Sequence, residues 1–139
     1  MATPEENKQL ARDYFKAFLA HDDAWWVAHI ADDFVRHDPG LPFEVRGIEG
    51  VRKLADVLNP GIPDMKLPIS HAVAEGDLVL IHLRVQGTHG GELMGLEPTG
   101  KPIDIGVMDL FRFQGDKLVE HWALLDNLGL LKQLGVSSI

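Results

Sequence analysis

Residues 107–126, VMDLFRFQGDKLVEHWALLD, decide the fold. They read as two strands joined by a tight turn at Gln114-Gly115-Asp116, and Ile103 and Ile105 extend the first strand backwards. Successive side chains of a strand point to opposite faces, so Ile103, Ile105, Val107, Asp109, Phe111 and Phe113 share one face. Five of the six are strongly apolar and the sixth is a carboxylate. An unpaired charge inside an apolar face is expensive, so Asp109 requires an explanation.

Working outward, the residues before the hairpin also show a period of two. Residues 65–74 read as a strand with Leu67, Ile69, His71 and Val73 on one face, and Pro68 points to a sheet edge. Glu75-Gly76-Asp77 is a hairpin turn. Residues 78–87 then place Val79, Ile81, Leu83 and Val85 on one face, with His82, Arg84 and Gln86 on the other. A glycine-rich connection, 88–102, leads into the opening stretch. After it, Asp126-Asn127 precede a short helix over 128–134.

The first half has a helical period. Thr3-Pro4-Glu5-Glu6 combines an N-cap, a proline at the first helical position and a capping-box glutamate. Leu10, Ala11, Tyr14, Phe15, Phe18 and Leu19 then form one apolar stripe. His21-Asp22-Asp23 breaks this helix and caps a second, over about residues 24–31, which carries Trp25 and Trp26. Residues 34–38, FVRHD, form a short strand ended by Pro39-Gly40, and a loop runs to Arg46. A third helix spans 47–58, stopped by Pro60-Gly61. Helices first and turn-linked strands later make an α+β domain. The expected architecture is a cone: a curved antiparallel sheet, three N-terminal helices covering its concave face, and a short C-terminal helix. Met108, Leu110, Trp122 and Leu124 lie on the other parity of the hairpin, so the outer face is apolar too, and a homodimer through that face is expected.

Composition narrows the function. At 139 residues, 45% hydrophobic and 24% charged, the chain fits one soluble globular domain over residues 1–139. A formal charge of −8 with scattered basic residues excludes nucleic acid and anionic membranes as expected partners. No apolar run approaches the length of a membrane span. There is no cysteine, hence no disulfide framework, thiol nucleophile or thiolate metal site, and a cytoplasmic location is expected. THGGELMG lacks the lysine and Ser/Thr of a phosphate loop, and the seven histidines form no metal-binding spacing. Neither cofactor nor metal is expected. What remains is acid–base chemistry in an apolar cavity, on a small hydrophobic ligand.

Asp109 leads the candidates. Desolvation disfavours its anion. Protonated, it can donate a hydrogen bond to an enolate; ionised, it can act as a base. His121 shares the inward parity of Val119, Ala123 and Leu125 and is expected beside Asp109 across the hairpin. His37 and Asp38 are adjacent on a strand, so only one can face the cavity. Asp126 is explained by capping the last helix. Phe15, Phe18, Phe111 and Trp122 are candidates for pocket or core.

The runs FVRHDPGLPFEVRG, GTHGGELMGLEPTGK and LFRFQGDKLVEHWALLDNLGLLKQLG resemble the SnoaL-like polyketide cyclases, of the nuclear transport factor two-like superfamily of cone-shaped proteins. The resemblance covers nearly the whole chain and implies the cone fold. It leaves the activity open, because the superfamily includes cyclases, isomerases, epoxide hydrolases, dehydratases and binding modules. The cyclases pair a histidine with a catalytic aspartate on the last two strands. Aligned on LFRF and LKQLG, this chain has Asp109 at the histidine position and Ala123, with no ionisable group, at the aspartate position. The ketosteroid isomerase branch matches differently. Tyr14, Asp38-Pro39 and the strand MDLFRF occupy the positions of its helix tyrosine, its base aspartate and its second acid. That resemblance implies proton abstraction α to a carbonyl by Asp38 (or His37), with Tyr14 and Asp109 binding the enolate and His121 tuning Asp109.

Overall fold

The computed structural model describes residues 2–136. In chain order the elements are α1 (Pro4–Ala20), α2 (Asp23–His29), β1 (Ile30–His37), β2 (Val45–Arg46), α3 (Gly47–Gly61), β3 (Ile69–Glu75), β4 (Leu78–Thr88), β5 (Pro102–Gln114), β6 (Lys117–Leu125) and α4 (Asn127–Gln133). The strands form one six-stranded sheet in the order β2-β1-β6-β5-β4-β3. It is curled and unclosed, and helices cover its concave side. Among the described residues, no helix is long and apolar enough to cross a membrane.

The local signals act where they stand. The Thr3 hydroxyl accepts from the Glu6 amide and the Glu6 carboxylate accepts from the Thr3 amide, both at 3.1 Å, which closes the capping box of α1. Gly76 and Gly115 take left-handed backbone, φ 59 and 63, at the β3–β4 and β5–β6 turns, where a side chain would be strained. Asp126 caps α4 by accepting from the Gly129 amide at 2.8 Å.

Four expectations are corrected. The sheet is mixed, because β1 lies parallel to β6 while every other pairing is antiparallel. The second helix ends at His29 and β1 begins at Ile30, four residues before the expected strand. Helix α3 runs through Pro60 to Gly61: a proline in the last turn forfeits a single amide bond, and the Ile62 amide still donates to the Leu58 carbonyl at 3.3 Å. Strand β3 does not keep one face. Its register to β4 slips between Ile69 and His71, so Leu67 and Ile69 face inward but Ala72 and Ala74 follow them, and His71 and Val73 turn out. Small alanines there leave room for α1, which packs across β3 and β4.

The row that opened the sequence reading is continuous. Ile103, Ile105, Val107, Asp109, Phe111 and Phe113 are all buried on the concave face of β5. A second register slip, between Arg112 and Phe113, sets Leu118 opposite Phe113 and then brings His121 opposite Phe111 and Ala123 opposite Asp109. Most of the core lies between α1, α3 and the sheet. A smaller cluster of Ile62, Leu93, Ile103 and Leu134 closes the α4 end. Between the two lies a cavity.

Candidate active site

The cavity holds about 850 Å³ of empty space, part of it open to solvent. Its walls are mainly apolar, from Phe15 and Phe18 of α1, Leu83 and Val85 of β4, and Ile105 and Val107 of β5. Five side chains carry polar groups to its lining: Tyr14, Arg36, Asp38, Asp109 and Asn127.

Asp109 is 3% exposed, and its Oδ1 has no hydrogen-bond partner. Its Oδ2 lies 3.5 Å from His121 Nε2, an electrostatic approach longer than a formed hydrogen bond. Arg112, three residues along the strand, does not neutralise it; that guanidinium faces out and donates to Glu120 at 2.8 Å. His121 is fully buried behind Asp109 and does not line the cavity. Its ring stacks on Phe111 with centroids 4.2 Å apart and meets Tyr14 edge-on at 5.5 Å. Burial pushes the His121 pKa below its ordinary value, and the neighbouring Asp109 only partly opposes this, so the imidazole is held neutral. The Tyr14 hydroxyl is buried with no partner, and burial raises its pKa, which keeps the phenol protonated as a donor.

Strand β1 resolves the choice between His37 and Asp38. Phe34, Arg36 and Asp38 share the inward parity, and His37 points out. There its Nε2 lies 2.7 Å from Glu120, and its ring stacks on Trp122. His37 therefore does not reach the cavity, and neither does Trp122. Phe111 is core, while Phe15 and Phe18 line the cavity. Asp38 does reach it, but both its oxygens are engaged. Oδ2 accepts from Arg36 Nε at 3.2 Å and Nη2 at 2.8 Å, and Oδ1 accepts from the Gly40 amide at 3.1 Å. A carboxylate so occupied is a weaker base than a free one.

Arg36 is the residue that sequence reasoning missed. Its side chain is 8% exposed and that of Asp38 is 6%. Burial works against the guanidinium charge, but the facing Tyr14, Asp109 and Asp38 outweigh it and hold the Arg36 pKa above its ordinary value. The signal was its parity with Phe34 and Asp38. Among the described residues, no group of three or more His, Cys, Asp or Glu is placed to hold a metal ion. Chemically, the floor of the cavity combines one free carboxylate oxygen, one free phenol and one buried cation.

Comparison with known proteins agrees with the fold. IdmH from Streptomyces antibioticus, a candidate polyketide cyclase, superposes with a TM-score of 0.80 at 31% identity, over 94% of this chain and 99% of that one. AclR from Streptomyces galilaeus, a candidate hydroxylase, gives 0.82 at 30% identity over 96% and 98% of the two chains. A SnoaL-like protein from Jannaschia sp. CCS1, at 22% identity and a TM-score of 0.85 over 100% and 99%, shares the fold. None of the curated proteins matches. The family model of the SnoaL-like polyketide cyclases matches residues 8–134, and this chain belongs to that family.

Proposed function

We propose that the protein is a cofactor-independent acid–base enzyme that moves a proton α to the carbonyl of a small hydrophobic compound, leading to ring closure or double-bond migration. The observation that carries this reading is that Asp109 and Tyr14 both line an apolar cavity while Asp109 Oδ1 and the Tyr14 hydroxyl are buried there without a hydrogen-bond partner. In the step proposed, the C–H bond α to the carbonyl breaks and its proton passes to Asp109. The electron pair moves onto the carbonyl oxygen, where the Tyr14 O–H and the Arg36 charge stabilise the enolate. The enolate carbon then either attacks a second carbonyl of the same molecule or takes a proton back at another carbon. Asp38 serves as a positioning residue for Arg36, and His121 backs Asp109.

The test is α-hydrogen exchange in D2O, followed by NMR on a panel of cyclic ketones headed by 2-tetralone. Wild type accelerates exchange, and Asp109→Asn loses roughly 10²- to 10⁴-fold while keeping its fold. Exchange that is the same in wild type and Asp109→Asn overturns the assignment. A second reading, a ligand-binding cone without catalysis, rests on Ala123, which faces Asp109 in register where cyclases keep an aspartate. It predicts that the ketones bind and no exchange follows.

The homodimer belongs to the same proposal. On the outer face Val73, Leu80, Leu110 and Trp122 run across four strands in register, next to Met108 and Leu124. Val73, Leu80, Met108 and Leu124 are exposed. A second copy of the chain would cover this apolar face. With no cysteine in 139 residues, a cytoplasmic setting fits the reading.

A further inference from the structure

The register slip that turns His71 outward also gives it a neighbour. Continued without a slip from the Ile69–Leu83 pair, β3 would set His71 opposite Ile81 on the concave face; with the slip, His71 stands opposite His82 on the convex face. Their Nδ1 atoms lie 3.0 Å apart, with the ring centres 5.3 Å apart and the ring planes at 2°. The two nitrogens therefore face one another along the line that joins the rings. One proton serves the pair, because the nitrogen that accepts must be bare. His71 is exposed and His82 half-buried, so water could serve both rings, and the bond contributes little to the fold. The other five histidines are engaged differently. His21, His29, His37 and His89 meet oxygen atoms at 2.9, 3.0, 2.7 and 3.0 Å, and His121 is buried beside Asp109.

The row does not end at His82. Met108 pairs with His82 across β4 and β5, so a thioether stands beside the two imidazoles on the same face. Met108 is exposed as well. Three adjacent strands thus present histidine, histidine and methionine in line. Strand β3 is the edge of the sheet, so the row is open at the His71 rim even where a second copy of the chain covers Met108.

We propose that His71, His82 and Met108 form a binding site for monovalent copper on the convex face of the sheet. The ion takes the place of the shared proton. The donor ring moves its hydrogen from Nδ1 to Nε2, both imidazoles stay neutral, and both Nδ1 lone pairs go to the metal. Bonds from imidazole to a metal are about 2 Å long, so a near-linear pair needs about 4 Å between the nitrogens, about 1 Å more than the hydrogen-bonded pair has. Small side-chain rotations on an open face supply this. Copper(I) accepts low coordination by soft, neutral ligands, and the thioether selects it over zinc, whose sites are tetrahedral and built from nitrogen, thiolate and carboxylate. Because His82 and Met108 lie on the opposite face of β4 and β5 from Asp109, this site neither rests on the proton-transfer reading nor falls with it.

Competition for copper(I) with the chromogenic chelator bicinchoninate, without air and with ascorbate present, tests this on the full chain. Wild type should withdraw one equivalent of copper per chain. His71→Ala and His82→Ala, each with its fold checked by circular dichroism, should weaken binding by about tenfold or more. Met108→Leu, which keeps the side-chain volume, should weaken copper(I) binding about fivefold to tenfold and leave zinc(II) binding, read with a zinc-sensitive dye, within about twofold. His29→Ala, at a histidine outside the row, should bind copper as wild type does. A wild type that withdraws no more copper than the His71→Ala/His82→Ala double variant overturns the proposal. So does copper binding that Met108→Leu leaves unchanged, which would reduce the row to a histidine pair with no preference for this metal.

Discussion

Replacing Arg36 by methionine isolates the electrostatic design of the cavity floor. Methionine keeps much of the stem and its packing but removes the cation, leaving the Asp38 carboxylate, 6% exposed, with the Gly40 amide as its one remaining donor. Two charge-assisted bonds, 3.2 and 2.8 Å, are lost. Breaking a buried pair from one side costs about 3–5 kcal/mol, most of it the penalty of the stranded charge. Arg36→Met should therefore lower the urea midpoint by about 1–3 M if the urea slope is about 2 kcal/mol per M. Asp38→Asn in the same background removes that charge, and the double variant should recover to within about 1–2 kcal/mol of wild type. The coupling between the two positions should then exceed about 2 kcal/mol in a double-mutant cycle. Equilibrium urea unfolding of the four proteins at pH 7.5 makes the measurement. A cost below about 1 kcal/mol for Arg36→Met, or losses that simply add in the double variant, would refute the claim that the pair is buried and mutually dependent.

Further outcomes follow from the same geometry. Because burial holds the His121 pKa below its ordinary 6.5, the unfolded chain binds more protons than the folded one just below that pH, so stability falls as the solution is acidified from about 6.5. The slope from one such group cannot exceed about 1.4 kcal/mol per pH unit. His121→Gln should flatten the change in unfolding free energy between pH 7.5 and 5.5; an unaltered slope would show that other groups produce it. Glu120 behaves in the same sense at lower pH. Arg112 first, then His37, hold its pKa below the usual 4.5, so its contribution is present above that value and lost as pH falls further. Glu120→Gln should leave a smaller loss of stability between pH 5 and pH 3 than wild type shows. On the outer face, Leu80→Glu with Leu124→Glu should turn a dimer into a monomer in sedimentation velocity, and a monomeric wild type at tens of micromolar would dispose of the interface.

The parts of this molecule legible in the sequence were those fixed by local rules. The capping box at Thr3 and Glu6, the glycine turns at 76 and 115, and the period-two row of β5 each depend on residues within a few positions of one another. The mistakes have a common cause in tertiary packing. Unbroken alternation through β3 puts His71 on one face with Leu67 and Ile69, whereas a one-residue slip at 69–71 exchanges the faces. The parallel pairing of β1 with β6 joins segments more than eighty residues apart and leaves no local trace. Arg36 carries no motif of its own and is placed only by the faces of its strand. The same alternation that places Phe34 inside places Arg36 and Asp38 there as well, and it turns His37 out.

The two faces of the central hairpin treat charge differently, and the contrast bears on why Asp109 is there. On the outer face, Glu120 is bonded to Arg112 and His37 at 2.8 and 2.7 Å, so its charge is compensated even where water is near. On the inner face, where an uncompensated group costs most, Asp109 Oδ1, Tyr14 Oη and both nitrogens of His121 have no partner. Stability alone would replace these groups with apolar side chains of similar volume, since Val107, Phe111 and Ala123 already surround them. Arg36 could have relieved the strain by turning to Asp109, yet Asp38 holds it through two donors. The fold thus spends a second carboxylate to keep the cation in place and leaves the first one free. An acid left unpaired beside a fixed cation and a buried phenol is the set of groups that the proposed proton transfer to and from an enolate would use.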